Sequence, residues 1–122
     1  MNARADVCAS ADVTPGRLTP VRLGRATVVL TRLADGRLRA VSGRCPHHGA
    51  PLQHGCVTAA VMADGVGRLR VERPGSVLRC PWHGFEFDLD SGQPLVPAPE
   101  GRAMRLRFFE VSEEGGRVFL KA

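Results

Sequence analysis

The sequence predicts an all-β chain, a small antiparallel sandwich or barrel. Two observations carry that expectation. Several short segments are β-branched or alternate apolar with polar residues, and turn signals built on Gly and Pro separate them at close, regular spacing. A third observation is that no stretch keeps a 3.6-residue apolar period over the length of a long helix. The 122 residues suffice for one domain and not for two. A chain of this size buries roughly two thirds of its unfolded surface, enough for a core without a disulfide framework. That core has to be aliphatic, because the aromatic residues are five Phe and one Trp, with no Tyr.

Residues 1–20 stand as an N-terminal segment of unassigned role, and a single domain is expected over 21–122. Within it, Ala26-Thr-Val-Val-Leu-Thr-Arg32 is β-branched and extended, Ala34-Asp-Gly36 is a hairpin turn signal, and Leu38-Arg-Ala-Val-Ser42 alternates. These runs predict a hairpin. Gly67-Arg-Leu-Arg-Val-Glu72 alternates again, Pro74-Gly75 reads as a type II turn, and Ser76-Val-Leu-Arg79 leads back toward Cys80, predicting a second hairpin. Ala103–Val111 alternates around Met104, Leu106 and Phe108. Gly115-Gly116 then turns the chain into Arg117-Val-Phe-Leu-Lys121.

The net charge of +5 lies in the N-terminal half: residues 1–61 hold eight arginines against three acids, whereas basic and acidic side chains balance in 62–122. Those arginines are dispersed, without a Lys-rich run or interleaved aromatics, so a solvated basic surface is expected and nucleic acid is not a partner. Residues 1–20 contain Asp6 and Asp12 and no apolar run of signal-peptide length, and no segment approaches a membrane span. The expectation is a cytoplasmic protein with no membrane partner. In that compartment four Cys read as metal ligands or free thiols.

Two segments stand apart and echo each other: Cys45-Pro-His47-His-Gly49 and Cys80-Pro-Trp-His83-Gly84. Each supplies a thiol and an imidazole, at CxH and CxxH spacing. Proline fixes φ and glycine permits close backbone approach, so both read as tight irregular loops, and two such loops facing each other would surround one metal centre. A four-thiolate iron-sulfur cluster does not fit, because the pair supplies only two Cys. A structural Cys2His2 zinc site fits the ligand count, although zinc fingers usually pair CxxC with HxxxH. A [2Fe-2S] cluster with two imidazoles on one iron fits both count and pairing.

CPHHGAPL at 45–52 and CPWHGFEFDLDSG at 80–92 resemble the two cluster-binding loops of Rieske ferredoxins and of the Rieske domains in ring-hydroxylating oxygenases. LADGRLRAVSGRCPH, which leads into the first loop, is similar to the family as well. The resemblance is strong at the loops, weaker from Val21 to the C-terminus, and absent over 1–20. It implies a Rieske-type β-sandwich with a two-loop cluster-binding subdomain, in which Cys45 and Cys80 bind one iron and His47 and His83 the outer one. Four thiolates around a sulfide-bridged diferric core leave the site dianionic, whereas two thiolates and two neutral imidazoles leave it neutral and easier to reduce. Rieske potentials accordingly span about −150 to +300 mV, against about −400 mV for plant-type clusters.

High-potential members of the family carry an extra Cys in each loop and Ser and Tyr hydroxyls bonded to the cluster. Ala50, Trp82 and Phe85 stand at the corresponding places and there is no Tyr, which implies the ferredoxin and oxygenase branch. The interval from His47 to Cys80 is longer than usual, with the surplus around 58–75 expected as an inserted turn and hairpin of unknown role. His48, where many relatives have Arg, and His54 read as surface residues, and Cys8 and Cys56 as buried or free thiols. Trp82 reads as packing that shields the cluster. Gly92–Pro99 resembles the family's cluster-covering loop, and Glu86, Asp88 and Asp90 read as a solvated face.

A Rieske oxygenase also needs a mononuclear iron on two His and a carboxylate. Two of the four His are committed to the cluster, His48 and His54 lie beside the first loop, and none follows His83. No other catalytic constellation or nucleotide motif is present. The resemblance therefore implies an electron carrier without independent catalysis, a ferredoxin passing electrons from a flavin-dependent reductase to a terminal oxygenase. The alternatives are a small Rieske subunit of a larger oxidoreductase of nitrite-reductase type and a non-redox zinc-binding module.

Overall fold

The most apolar run of the chain, around Val28-Val-Leu30, lies at the centre of the molecule. The structure, a computed structural model, describes residues 4–46, 49–82, 84–95 and 104–121, without the side chains of 60–65 and 70–74. The described residues form nine strands: β1 (Arg4–Ala9), β2 (Thr19–Leu23), β3 (Ala26–Arg32), β4 (Leu38–Ser42), β5 (Cys56–Gly65), β6 (Arg68–Arg79), β7 (Glu86–Asp88), β8 (Glu110–Glu114) and β9 (Arg117–Lys121). They pair antiparallel in three sheets, ordered β1-β9-β8, β2-β3-β4 and β5-β6-β7. Helical structure among the described residues is limited to single 3-10 turns at Ser10–Asp12 and Leu52–His54. The expected all-β antiparallel architecture is present.

Strand β3 explains how three sheets share so few aromatic residues. Val28, Val29, Leu30 and Thr31 are all buried, so both faces of the strand are covered. Because successive side chains alternate across a strand, Val28 and Leu30 join Ala40, Val13, Val118 and Leu120 in one core. Val29 joins Val41, Leu78, Phe87, Leu89 and Leu106 in the other. The β2-β3-β4 sheet thus has one core on each side, and the second holds Cys45 and Cys80.

The hairpin expected at Ala34-Asp-Gly36 joins β3 to β4. Leu33 N–H donates to Arg37 O at 2.8 Å, and Gly36 takes φ +93°. The second expected hairpin is corrected. Arg68–Arg79 is one strand, the reversal lies at Val66-Gly67, and the partner strand is β5. Pro74-Gly75 falls where the ladder passes from Ala60↔Glu72 to Thr58↔Val77, so four residues of β6 stand opposite Ala59. Proline cannot donate to a ladder, and a bulge is where a paired strand tolerates it. Gly75, at φ +73°, brings that bulge to 3.6 Å of the Ala34 methyl by its would-be Cβ.

Two further findings concern the chain ends. Residues 1–20, left without a role by sequence, contribute β1, which pairs with β9 from Arg4↔Lys121 to Ala9↔Arg117. Of the alternation expected over Ala103–Val111, residues 104–107 show it in burial, with Met104 and Leu106 buried and Arg105 and Arg107 exposed, while Phe108 and Phe109 are both partly buried. Regular pairing begins only at Glu110, however. The residues before it run along the free edge of β4, where Ser42 N–H donates to Arg107 O and Phe109 N–H to Ala40 O, each at 2.8 Å. The segment is passing from one sheet to another, and that crossing limits it to the single bridge Val41↔Phe108.

Arg32, at the end of β3, joins three parts of the fold. Its guanidinium donates to Val13 O at 2.9 Å, to Gly36 O at 3.0 Å and to both carboxylate oxygens of Glu113 on β8, at 3.0 and 2.8 Å. The Arg32 hydrogen bonds hold the Glu113 carboxyl down to about 2, from an ordinary value of 4.5. A carboxylate with a lowered folded-state pKa stabilises fully above its unfolded value and loses that contribution as pH falls through the folded one. Glu113 is more than a third exposed, so solvent screening keeps the pair to about 1 kcal/mol or less. Urea midpoints measured between pH 5 and about pH 2 should therefore fall less steeply in Glu113→Gln than in the parent.

Gly55 has no space for a side chain, since a Cβ there would lie 2.2 Å from the Arg79 carbonyl oxygen. Gly55→Ala must push the start of β5 away from the end of β6. The expected cost is about 1–3 kcal/mol, the usual range for overpacking, read from chemical denaturation. An unchanged midpoint would refute the close approach.

Candidate metal centre

The first cysteine loop begins where β4 ends. Gly43 leaves the sheet pressed against β3: its N–H donates to Thr27 O at 2.8 Å, and a Cβ would stand 2.9 Å from that oxygen. The loop then closes on itself. Cys45 N–H donates to Ala50 O at 2.9 Å, Gly49 N–H to Cys45 O at 2.8 Å, and Arg44 bridges to Pro51. Leu52, fully buried, anchors the exit through its N–H to Gly43 O at 2.9 Å.

The second loop follows β6 and has the same construction. Cys80 N–H donates to Phe85 O at 2.7 Å, so each cysteine bonds the carbonyl five residues later. Each loop carries a left-handed glycine just before that carbonyl, Gly49 at φ +74° and Gly84 at φ +67°. A residue with a Cβ is strained in that conformation, which is the physical reason for the repeated glycine. The echo between the two segments in sequence is therefore a congruence of loop geometry.

The loops bring their thiols together. Cys45 and Cys80 are both buried, at 2% and 3% exposure, in the core formed with Ala50, Leu52, Leu78, Phe87, Leu89 and Leu106. Burial pushes the Cys80 thiol up to about 11; the Trp82 backbone N–H opposes this by donating to its sulfur, and the hydrogen-bonded Cys45 thiol adds to it. The buried Cys80 thiol therefore resists ionisation on its own, and a bound cation favours the thiolate form of a coordinating thiol. The donor set thus fits a buried metal or cluster that needs two adjacent thiolates.

His47, His48 and His83 lie outside the described residues, as do 96–99 of the proline-rich stretch. The described part of that stretch folds back on β7, with Asp88 N–H to Gln93 O at 2.8 Å and Leu95 N–H to Glu86 O at 3.0 Å. His54 is exposed at the end of its 3-10 turn, as expected of a surface residue. Cys56 is exposed and Cys8 half-buried against the other core, both as free thiols. Trp82 is 49% exposed, more open than a shielding role predicts. Glu86 and Asp88 are only partly exposed, and the exposed Asp90 accepts from Arg37 Nη2 at 2.6 Å.

Sequence reasoning missed the residues that support the loops. Arg39 donates to the carbonyls of Leu89 and Asp90 at 2.8 and 3.1 Å and stacks 4.0 Å from the Phe108 ring. It thereby ties β4 to the turn after β7. Arg79 packs its guanidinium against Gly84, 3.2 Å from where a Cβ would be. The Arg39 hydrogen bonds join parts of the chain about fifty residues apart and so carry no local signal, whereas the Arg79 contact depends on how the second loop folds back.

Comparison with known proteins agrees with this geometry. The chain is 32% identical over 115 residues to the ferredoxin component of the alkene monooxygenase system of Xanthobacter autotrophicus, covering 94% of this chain and 78% of that protein. It is 32% identical over 118 residues to human apoptosis-inducing factor 3, covering 97% of this chain but only 16% of that protein's length. Among solved structures, a chain from Mycobacterium tuberculosis described as an NADH-dependent nitrite reductase small subunit superposes with a TM-score of 0.71. It is 26% identical, covering 100% of this chain and 96% of its own. Residues 3–109 match the model of the Rieske [2Fe-2S] domain, and the chain belongs to that family.

Proposed function

We propose that this protein is a Rieske-type electron-transfer component, in which Cys45, His47, Cys80 and His83 hold a [2Fe-2S] cluster. Its partners are a flavin-dependent reductase upstream and a terminal oxygenase downstream. The observation that carries the reading is the meeting of two congruent loops, which sets the Cys45 and Cys80 sulfurs side by side in the core. Family membership selects the cluster over zinc. A bound cluster would supply reversible storage of one electron.

The chain's own residues define the rest. Leu52, Leu78, Phe87 and Leu89 keep the cysteine side dry, which fixes the two sulfurs rigidly. The Trp82 N–H donates to the Cys80 sulfur and would offset charge added there. Similarity to the alkene monooxygenase ferredoxin favours an oxygenase as acceptor. The likeness to the nitrite reductase small subunit supports a second reading, a small subunit docked permanently on a larger oxidoreductase. Copurification with a large redox subunit would favour that second reading.

The purified protein should contain two irons and two sulfides per chain, as that cluster requires, and show a Rieske EPR signal when reduced. His83→Ala should abolish the signal and weaken folding, because the metal cross-links the two loops. Cys56→Ser should leave it intact. A retained signal in His83→Ala, or a lost one in Cys56→Ser, would show the ligand set to be wrong.

The potential follows from the loop residues. Ala50, Trp82 and Phe85 provide no side-chain hydroxyl or disulfide sulfur, so added charge at the cluster is shared with few donors. Protein-film voltammetry should place the midpoint nearer about −150 than +300 mV. A midpoint well above zero would assign the protein to the high-potential branch.

A further inference from the structure

The basic excess of the N-terminal half is not spread evenly in space. Several described cations face carboxylates: Arg4 with Glu114, Arg32 with Glu113, Arg37 with Asp35 and Asp90, Arg117 with Asp6. Three other arginines of that half gather on one open groove of about 690 Å³, lined among others by Arg22, Arg25, Arg44, Gly49, Pro51 and Gln53. Among the described residues no carboxylate lines it. The sequence explains why, since the lining comes from two stretches free of Asp and Glu, one between Asp12 and Asp35 and the other between Asp35 and Asp64.

The three arginines are exposed and have no carboxylate partner among the described residues. Arg22 is oriented along the β2–β3 turn by long bonds to Thr27 Oγ1 and Arg25 O, each 3.3 Å. Gly24, at φ +62°, makes that turn tight and places Arg25 at its tip. The opposite wall is the outer side of the first cysteine loop. Arg44 directly precedes Cys45, and Gly49 bonds the Cys45 carbonyl. The groove therefore joins an uncompensated positive surface to the backbone that holds one of the two buried sulfurs.

We propose that this groove is the docking surface for a carboxylate-rich face of the redox protein partner, which it seats against the first cysteine loop. The inference rests on the electron-carrier reading above and adds the partner's surface chemistry. Charge complementarity carries it: three guanidiniums on one open surface attract and orient an acidic protein face, raising encounter rates in a salt-dependent way. Among the described residues no aromatic side chain lines the groove to stack bases. Its cations are exposed, as suits a broad protein surface better than an enclosed anion site.

The test uses the cluster-loaded full chain and a flavodoxin, an acidic flavoprotein whose hydroquinone gives one electron to the oxidised cluster. Stopped-flow rates are compared for the parent, for Arg22→Glu/Arg25→Glu, and for Arg68→Glu/Lys121→Glu, which makes the same charge change outside the groove lining. Oxidation of the reduced protein by hexacyanoferrate(III), an anion, and by tris(phenanthroline)cobalt(III), a cation, is followed in parallel. The groove variant should keep the parent EPR spectrum and midpoint, yet lose about tenfold or more in flavodoxin rate at low ionic strength. That difference should vanish at high salt, and the cobalt rate should not fall.

Equal flavodoxin rates in the two variants would overturn the proposal. Slowing with hexacyanoferrate(III) alone would overturn it too, because the groove would then attract only small anions. A rate loss accompanied by an altered EPR spectrum would equally count against it, as damage to the loop. Absence of a Rieske signal in the parent protein would instead overturn the electron-carrier reading.

Discussion

Two buried sulfurs in contact are the constraint around which this structure is organised. Cys45 and Cys80 come from segments joined to different sheets, and each must turn back within six residues to present its sulfur inward. The loops do so in the same way, with a cysteine N–H closing on the carbonyl five residues later and a left-handed glycine just before it. Loops of this kind are not rigid alone. Their precision comes from the apolar residues packed behind them, notably Leu52, Leu78, Phe87 and Leu89. Burial there raises the pKa of the Cys80 thiol, so the core that fixes the sulfurs also sets their charge balance.

Supporting such a site with few aromatic residues requires economy elsewhere. The central sheet serves two cores, and β3 is buried on both faces. One core stabilises the β1-β9-β8 sheet, and the other stabilises the paired loops. Arg32 and Arg39 extend this role in polar chemistry. Arg32 gathers the Ser10–Val13 region, the β3–β4 turn and β8 around one guanidinium, while Arg39 binds the carbonyls after β7. Both act through charge-assisted hydrogen bonds to groups that the ladders leave unpaired.

Charge is divided between structure and surface by the same logic. Arginines that face carboxylates across strands or turns are absorbed into the fold. Those on acid-free stretches beside the first loop remain uncompensated. Under the electron-carrier reading proposed above, such an arrangement helps, because long-range attraction orients an encounter without demanding a tight complex. Net charge alone would not distinguish a uniformly basic surface from one concentrated beside a redox centre.

Much of the fold and of the site was legible in the residues themselves. The strand run Ala26–Arg32, the Ala34-Asp-Gly36 turn and the two Cys-Pro loops are local features, written in β-branching, in glycine's access to positive φ and in proline's fixed φ. The family and its cluster follow from the paired loops for the same reason. What only the tertiary structure decided depends on partners far along the chain. Pro74-Gly75 carries a local signal for reversal, but pairing with β5 on either side of it turns that signal into a bulge. Arg4–Ala9 carries little signal and becomes a strand because Arg117–Lys121 offers it an edge more than a hundred residues away. The contact of Cys45 with Cys80, the burial of both faces of β3 and the gathering of Arg22, Arg25 and Arg44 in one groove are of this second kind. Each is set by which surfaces meet when the apolar faces are buried, and no local stretch of sequence carries that information.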